Sequence, residues 1–214
     1  MSVAAVVVAA GRGVRFGGAK QFESLNNETV TAHSVRAARS VSSRVVLVVP
    51  ADYDGNGEGA DVVVIGGETR AASVRAGLGQ CGEADVIVVH DAARPLASDA
   101  LFDAVVQAVR AGADAAVPGL VISDTVKRVM REGTHVIIQE TVSRDDLITV
   151  QTPQAFRRDA LTRAHANFNE ATDDAALVEA LGGRVVVVPG EIDNIKITSR
   201  DDLQLITKYR RGER

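Results

Sequence analysis

The chain has 214 residues, 46% of them hydrophobic and 3% aromatic, with a formal net charge of −4 at pH 7. That length suits one large domain with a full core, and the acidity argues against a nucleic-acid partner held by phosphate neutralisation. The single cysteine, Cys81, excludes an internal disulfide and any CxxC-type zinc or redox site, and it fits a reducing, cytoplasmic setting.

The first element is "VAAVVVA" over 3–9, an apolar run without the basic flank of a signal peptide, so it is expected to be a buried strand. Further runs of the same kind are "RVVLVVP" (44–50), "DVVVIG" (61–66), "DVIVVH" (85–90), "DAAVPG" (114–119) and "RVVVVPG" (184–190). All are short, rich in β-branched residues and bounded by Gly, Pro, Asp or Arg, as buried parallel strands are. Helix patterns fall between them. Ser98 is placed to cap a helix that buries Leu101, Phe102, Val105, Val106 and Val109 and stops at Gly112. Ser199 is placed to cap a last helix with Asp201 and Asp202 in its first turn and Leu203 and Ile206 inward. Alternating strands and helices predict a single three-layer α/β domain over 1–214 with a mostly parallel central sheet. No run approaches the roughly 18 apolar residues needed to span a bilayer, so no membrane partner is expected.

One segment breaks the alternation. Residues 121–144 hold two β-branched stretches around Arg131-Glu132-Gly133, a hairpin signal where a crossover helix is due. It is either a surface hairpin or an arm reaching a neighbouring subunit; an isolated hairpin is marginal in water, which favours the arm.

In an open α/β sheet, ligands bind beyond the carboxyl ends of the strands. The unusual stretches of this chain all follow such ends: "AAGRGVRFGGAK" (9–20), "GGETRAASV" (66–74), "HDAARP" (90–95) and "DNIKIT" (193–198). The first offers glycine-flanked backbone N–H groups with Arg12, Arg15 and Lys20, the parts that hold a polyphosphate. It is neither a dinucleotide fingerprint, since Phe16 stands where the third glycine belongs, nor a P-loop, since Ala19 separates Gly18 from Lys20. Asp91 is either a turn residue or, beside a polyphosphate, a Mg²⁺ ligand. Arg94 could fork onto a second phosphate. Lys196 with Asp193 reads equally as a surface ion pair. The four histidines are scattered, with no nucleophile–base or zinc pattern, so a reaction needing a strong general base is not expected.

Taken together, "AAGRGVRFGGAKQF", "GGETRAASVRAGL", "VVHDAARP", "SDTVKRV", "ETVSRDDLITVQTPQAF", "TDDAALVE" and "DNIKIT" resemble the 2-C-methyl-D-erythritol 4-phosphate cytidylyltransferases nearly end to end. The resemblance implies a Rossmann-like nucleotidyltransferase domain that joins CTP to a polyol phosphate with Mg²⁺, and a homodimer interlocked by a protruding β-arm at 121–144. It implies that Arg15 and Lys20 stabilise charge on the CTP phosphates, with Ala10, Gly11 and Gly13 in the same loop. Gly67, Glu68, Arg70 and Ser73 fall at the cytidine, Asp91 at the metal, and Ala92 beside it on the nucleotide. Arg144 and Lys196 would position the methylerythritol phosphate, with Asp91, Arg94, Thr125, Thr152 and Thr172 near it. Thr125 and Arg144, being in the arm region, would serve the other subunit's site. Three alternatives stay open: a ribitol 5-phosphate cytidylyltransferase, a nucleotidyltransferase using UTP or GTP, and a non-catalytic nucleotide-binding regulator on the same fold.

Overall fold

The valine-rich runs become strands of one sheet, and the inner ones, 3–8, 44–49 and 86–91, are buried on both faces. The runs expected to be buried at 61–66 and 184–190 instead form edge strands that expose Val63, Ile65 and Val187, because each pairs with a single neighbour. The structure, a computed structural model, describes residues 1–11, 13, 16–167 and 170–210. Its strands are β1 (Val3–Val8), β2 (Ser24–Leu25), β3 (Glu28–Thr29), β4 (Arg44–Val49), β5 (Val62–Ile65), β6 (Val86–Asp91), β7 (Ala115–Val121), β8 (Val126–Glu132), β9 (His135–Val142), β10 (Ile148–Val150), β11 (Gln154–Arg157) and β12 (Val185–Pro189). Its helices are α1 (Val30–Arg39), α2 (Arg70–Leu78), α3 (Asp99–Arg110), α4 (Arg158–Asn167), α5 (Asp174–Ala180) and α6 (Arg200–Arg210).

The main sheet runs β10-β7-β11-β6-β1-β4-β5, with β12 parallel to β7 on its other side. Side-chain alternation along the strands builds the two core layers. Val3, Ala5 and Val7 of β1 face the layer closed by Val35 of α1 and by Leu101, Phe102, Val105, Val106 and Val109 of α3. Ala4 and Val6 face the layer closed by α2, α4 and α5, through Val74, Leu161, Ala164, Leu177 and Val178. The two caps form as expected. Ser98 accepts from the Leu101 N–H, and Ser199 accepts from the Asp202 N–H while Asp202 accepts from Thr198 and Ser199. Gly112 lies past the end of α3 at φ 107°, a conformation that favours glycine.

Two details sharpen the expectation of a mostly parallel sheet and a hairpin at 121–144. The short β11 runs antiparallel between β6 and β7, and β10 runs antiparallel along β7, so the sheet is mixed at one side. The expected 121–144 hairpin forms and turns at Gly133-Thr134, where Gly133 takes φ 58° and Glu132 is still paired with His135. β8 and β9 form a separate two-stranded sheet, and its apolar residues Val129, Val136 and Ile138 are 45%, 54% and 61% exposed. Among the described residues, no helix is long and apolar enough to cross a membrane.

The order of the sheet sets the site. The chain leaves β1 toward β4 and β5, then returns to β6 on the other side of β1, which makes the β1/β6 boundary a switch point. Val8 and Asp91, the last residues of those strands, are register partners there. α2 is seated close to the sheet at Gly77, where a Cβ would lie 2.5 Å from a Val6 methyl and 2.9 Å from one of Val48. Gly77→Ala is therefore expected to lower stability by about 1–3 kcal/mol, the cost of overpacking, measured as the shift of the urea unfolding midpoint; a stabilised variant would contradict this packing.

Candidate active site

A cleft of about 370 Å³ opens at the switch point, and all four polar loops reach it. The first loop is shaped by one glycine and two buried anchors. Gly13 sits at φ 60°, and a Cβ there would lie 1.9 Å from the Gly18 carbonyl oxygen, so no other residue fits. Its own carbonyl accepts from the N–H groups of Phe16 and Gly17, at 2.8 and 3.0 Å. Phe16, the residue that spoils the dinucleotide fingerprint, is buried with Leu25, Val30, Ile197 and Ile206 and pins the loop to α6. Gln21 is buried too, and its amide donates to the carbonyls of Ala9 and Gly11 at 2.7 and 2.9 Å. Sequence reasoning passed over Gln21; its place directly after Lys20 was the one available signal.

The second loop enters α2 at the cleft. Thr69 caps the helix by accepting from the Ala72 N–H, and Ser73 bonds the carbonyls of Gly67 and Thr69. Gly67, Glu68, Thr69, Arg70 and Ser73 all line the cleft, at the positive end of the helix.

Asp91 stands at the centre. Lys196 Nζ donates to its Oδ2 at 2.5 Å and Arg70 Nε to its Oδ1 at 3.3 Å. Burial alone would push this carboxyl up, but Arg70 and Lys196 outweigh it and hold the group well below the usual carboxylate range. Asp91 is therefore ionised. Its backbone is fixed from behind, where its N–H donates to Thr152 Oγ1 at 3.1 Å. Thr152 Oγ1 is also 3.2 Å from His90 Nδ1, and His90 Nε2 is 3.2 Å from the Arg94 carbonyl. The arrangement is satisfied when the imidazole is neutral, donating through Nε2 and accepting at Nδ1. Burial pushes His90 down to about 4, against the upward pull of Asp91.

The sequence-predicted residues divide into groups. Ala10, Gly11, Gly13, Lys20, Gly67, Glu68, Arg70, Ser73, Asp91 and Lys196 all line the cleft. Ala92 is buried beneath it, donating to the Val8 carbonyl. Thr152 is buried behind Asp91. Arg94 does not line the cleft; its Nη1 donates to the Asn194 carbonyl at 2.7 Å, while Ile197 N–H donates to the Ala93 carbonyl, and together they brace the segment carrying Lys196. Thr125 and Arg144 stand exposed at the base of the arm, where Arg144 Nη1 bonds the Ser123 carbonyl, and neither lines the cleft of its own chain. Thr172 is exposed just ahead of α5. Arg12 and Arg15 lie outside the described residues.

Mg²⁺ fits this donor set in one way. Among the described residues no group of three or more His, Cys, Asp or Glu could hold a metal. Mg²⁺ commonly takes one or two carboxylates and completes its shell with phosphate oxygens and water, so the ionised Asp91 can be the protein's share.

A cleft that joins helix-end donors and lysines to one carboxylate at a switch point defines the chain as an α/β enzyme of nucleotide phosphates, a nucleotidyltransferase. The family model for 2-C-methyl-D-erythritol 4-phosphate cytidylyltransferase matches residues 3–211, and the chain belongs to that family. The enzyme of that name from Streptomyces avermitilis is 45% identical over 222 residues, covering 94% of this chain and 89% of that protein. A bifunctional IspD/IspF enzyme of Clavibacter michiganensis is 44% identical, and the match covers 93% of this chain but 52% of that longer protein. The crystal structure of the Thermus thermophilus 2-C-methyl-D-erythritol 4-phosphate cytidylyltransferase superposes with a TM-score of 0.84 at 35% identity, over 99% of this chain and all of that one.

The His90 environment carries a pH prediction. Its folded value lies below the ordinary 6.5, so the unfolded chain binds more protons between pH 6.5 and about 4. Stability present above that window is lost as pH falls through it, by at most about 3 kcal/mol. Urea unfolding at pH 7 and pH 4.5 should register the loss, and His90→Gln should flatten it; equal slopes in both proteins would refute the assignment.

Proposed function

We propose that the cleft transfers CMP from CTP to 2-C-methyl-D-erythritol 4-phosphate, giving 4-diphosphocytidyl-2-C-methyl-D-erythritol and pyrophosphate for isoprenoid precursor synthesis. The observation that carries this reading, beside family membership, is the meeting of Lys20, Lys196 and the ionised Asp91 in one cleft with the N-terminus of α2. The reaction is an in-line displacement. A phosphate oxygen of the polyol bonds the α-phosphorus of CTP, the bond from that phosphorus to the α–β bridging oxygen breaks, and pyrophosphate leaves with the electron pair. The attacking monoester has a second pKa near ~6 and needs no base at neutral pH. The cost lies in bringing two anions together, and positioned cations meet it.

Lys20, with Arg15, neutralises the triphosphate. Gly11, Gly13, Gly67 and Ser73 hold the nucleotide close to the backbone. Asp91 is the residue that would hold Mg²⁺, which when bound supplies further neutralisation of the phosphates. Lys196 is half-exposed beside Asp91, well placed to take the incoming phosphate. Arg144 and Thr125 act on the site of a second subunit, reached by the arm; the exposed valines and isoleucines of β8 and β9 support such a homodimer, because an apolar hairpin of this kind is stable only when packed. The buried thiol of Cys81 supports a place in the reducing cytoplasm.

The test is pyrophosphate release with CTP, Mg²⁺ and either methylerythritol phosphate or ribitol 5-phosphate; preference for ribitol phosphate would overturn the substrate. Lys20→Ala should lower kcat by roughly 10²–10³-fold, the scale of one charge-stabilising group, and near-normal turnover would rule out that role. Inactive Arg144→Ala and Lys20→Ala chains, mixed and allowed to exchange subunits, should regain partial activity; no regain would count against a shared site.

A further inference from the structure

Behind the cleft, charges alternate along a chain of contacts that runs into the protein. Lys196 meets Asp91, Asp91 meets Arg70, Arg70 Nη1 meets Asp174 Oδ2 at 2.6 Å, and Asp174 Oδ1 meets His165 Nε2 at 2.9 Å. Asp174 is the first residue of α5, lies outside the cleft, and its side chain is 1% exposed.

We propose that Asp174 is a positioning residue for the reaction, acting through Arg70: it anchors the guanidinium so that the opposite edge holds Asp91 in the cleft. This inference rests on the activity proposed above.

Distances and chemistry carry it. An arginine side chain has about 2 kcal/mol of rotamer freedom to lose, and a single long contact would not hold it. The contact of Arg70 with Asp91, 3.3 Å, is the long one; the contact with Asp174, 2.6 Å, is the short one. The guanidinium is thus fixed from the interior and only leans on the cleft carboxylate. Burial works against the charge of Arg70, and the two carboxylates more than restore it. Stability alone does not account for Asp174, since a buried ion pair often gives no more than apolar residues of the same volume, whereas breaking one leaves a costly lone charge.

The surroundings of Asp174 are built for rigidity. Asp173 caps α5 by accepting from Ala176 N–H, and it also accepts from the Gln154 amide of β11 at 2.7 Å. His165 gives Nε2 to Asp174 and keeps Nδ1 buried without a hydrogen-bond partner among the described residues. Its ring is oriented for the carboxylate. With the carboxylate neutralised, Arg70 would face Asp91 alone, draw it inward and compete with Lys196.

The experiment is steady-state pyrophosphate release by the full chain, wild type, Asp174→Asn, Arg70→Gln and the double variant, with urea unfolding of each. Asp174→Asn is expected to lose roughly 10–100-fold in kcat, the scale for partners behind a ligand-holding side chain. KM for methylerythritol phosphate should stay within about twofold. The double variant should be no slower than Arg70→Gln, because the two act as one unit. Losses that multiply, or an Asp174→Asn chain as fast as wild type, overturn the inference while leaving the activity standing. A wild type that releases no pyrophosphate overturns both. Should Asp174→Asn not fold, His165→Gln takes its place: a loss of kcat with Arg70 present and none in the Arg70→Gln background supports the route, and equal losses in both overturn it.

Discussion

One carboxylate, placed at the end of a buried strand and kept ionised there, organises the functional end of this molecule. Burying a charge is costly unless it is paired and hydrogen-bonded, and the Asp91 carboxylate meets that demand from two directions while its backbone is held from a third. Lys196 comes from the loop after β12 and Arg70 from the start of α2, while the Thr152 hydroxyl, on the connection before β11, accepts from the Asp91 backbone N–H. Each partner brings its own segment to the cleft. The segments converge because they share this charge, and the switch point between β1 and β6 gives them a place to do so.

Much of this was legible in the sequence, for a definite reason. Parallel strands buried on both faces must be apolar at every position, so β1, β4 and β6 stand out as apolar runs, and the polar loops at their ends stand out by contrast. β5 and β12 are equally valine-rich, and their edge position with Val63, Ile65 and Val187 exposed left no mark in the sequence. β11 has no such trace: "QAFR" is four residues long, and its place between β6 and β7 comes from tertiary pairing. Phe16 reads as a broken motif in sequence and as a buried anchor in space. Arg94 reads as a phosphate ligand, yet its nearest acceptor is the Asn194 carbonyl. The pair Arg70–Asp174 joins residues 104 positions apart, and no local periodicity could announce it.

The histidines explain what kind of chemistry the fold allows. His33 Nε2 lies 2.8 Å from the Leu25 carbonyl, His165 is spent on Asp174, and His90 is locked between Thr152 and the Arg94 carbonyl. None of these three lines the cleft. A site organised this way has no imidazole to offer as a base, which agrees with a nucleophile that arrives already ionised. The histidines are used instead as hydrogen-bonding struts, and burial keeps His90 neutral well below neutral pH.

Exposure along the Lys196–Asp91–Arg70–Asp174 chain alternates with the sign of charge. The side chains are 41%, 12%, 28% and 1% exposed, so both carboxylates sit deeper than the cations that pair with them. The Lys196 ammonium is the most exposed group of the four, so an approaching anion meets it first, and the carboxylates beside it present little surface. In a concave site with low-dielectric walls, that ordering strengthens the attraction for a polyphosphate. It also reconciles an acidic chain with an anionic substrate: the net charge of −4 is a property of the whole surface, whereas binding depends on which sign of charge stands nearest the opening.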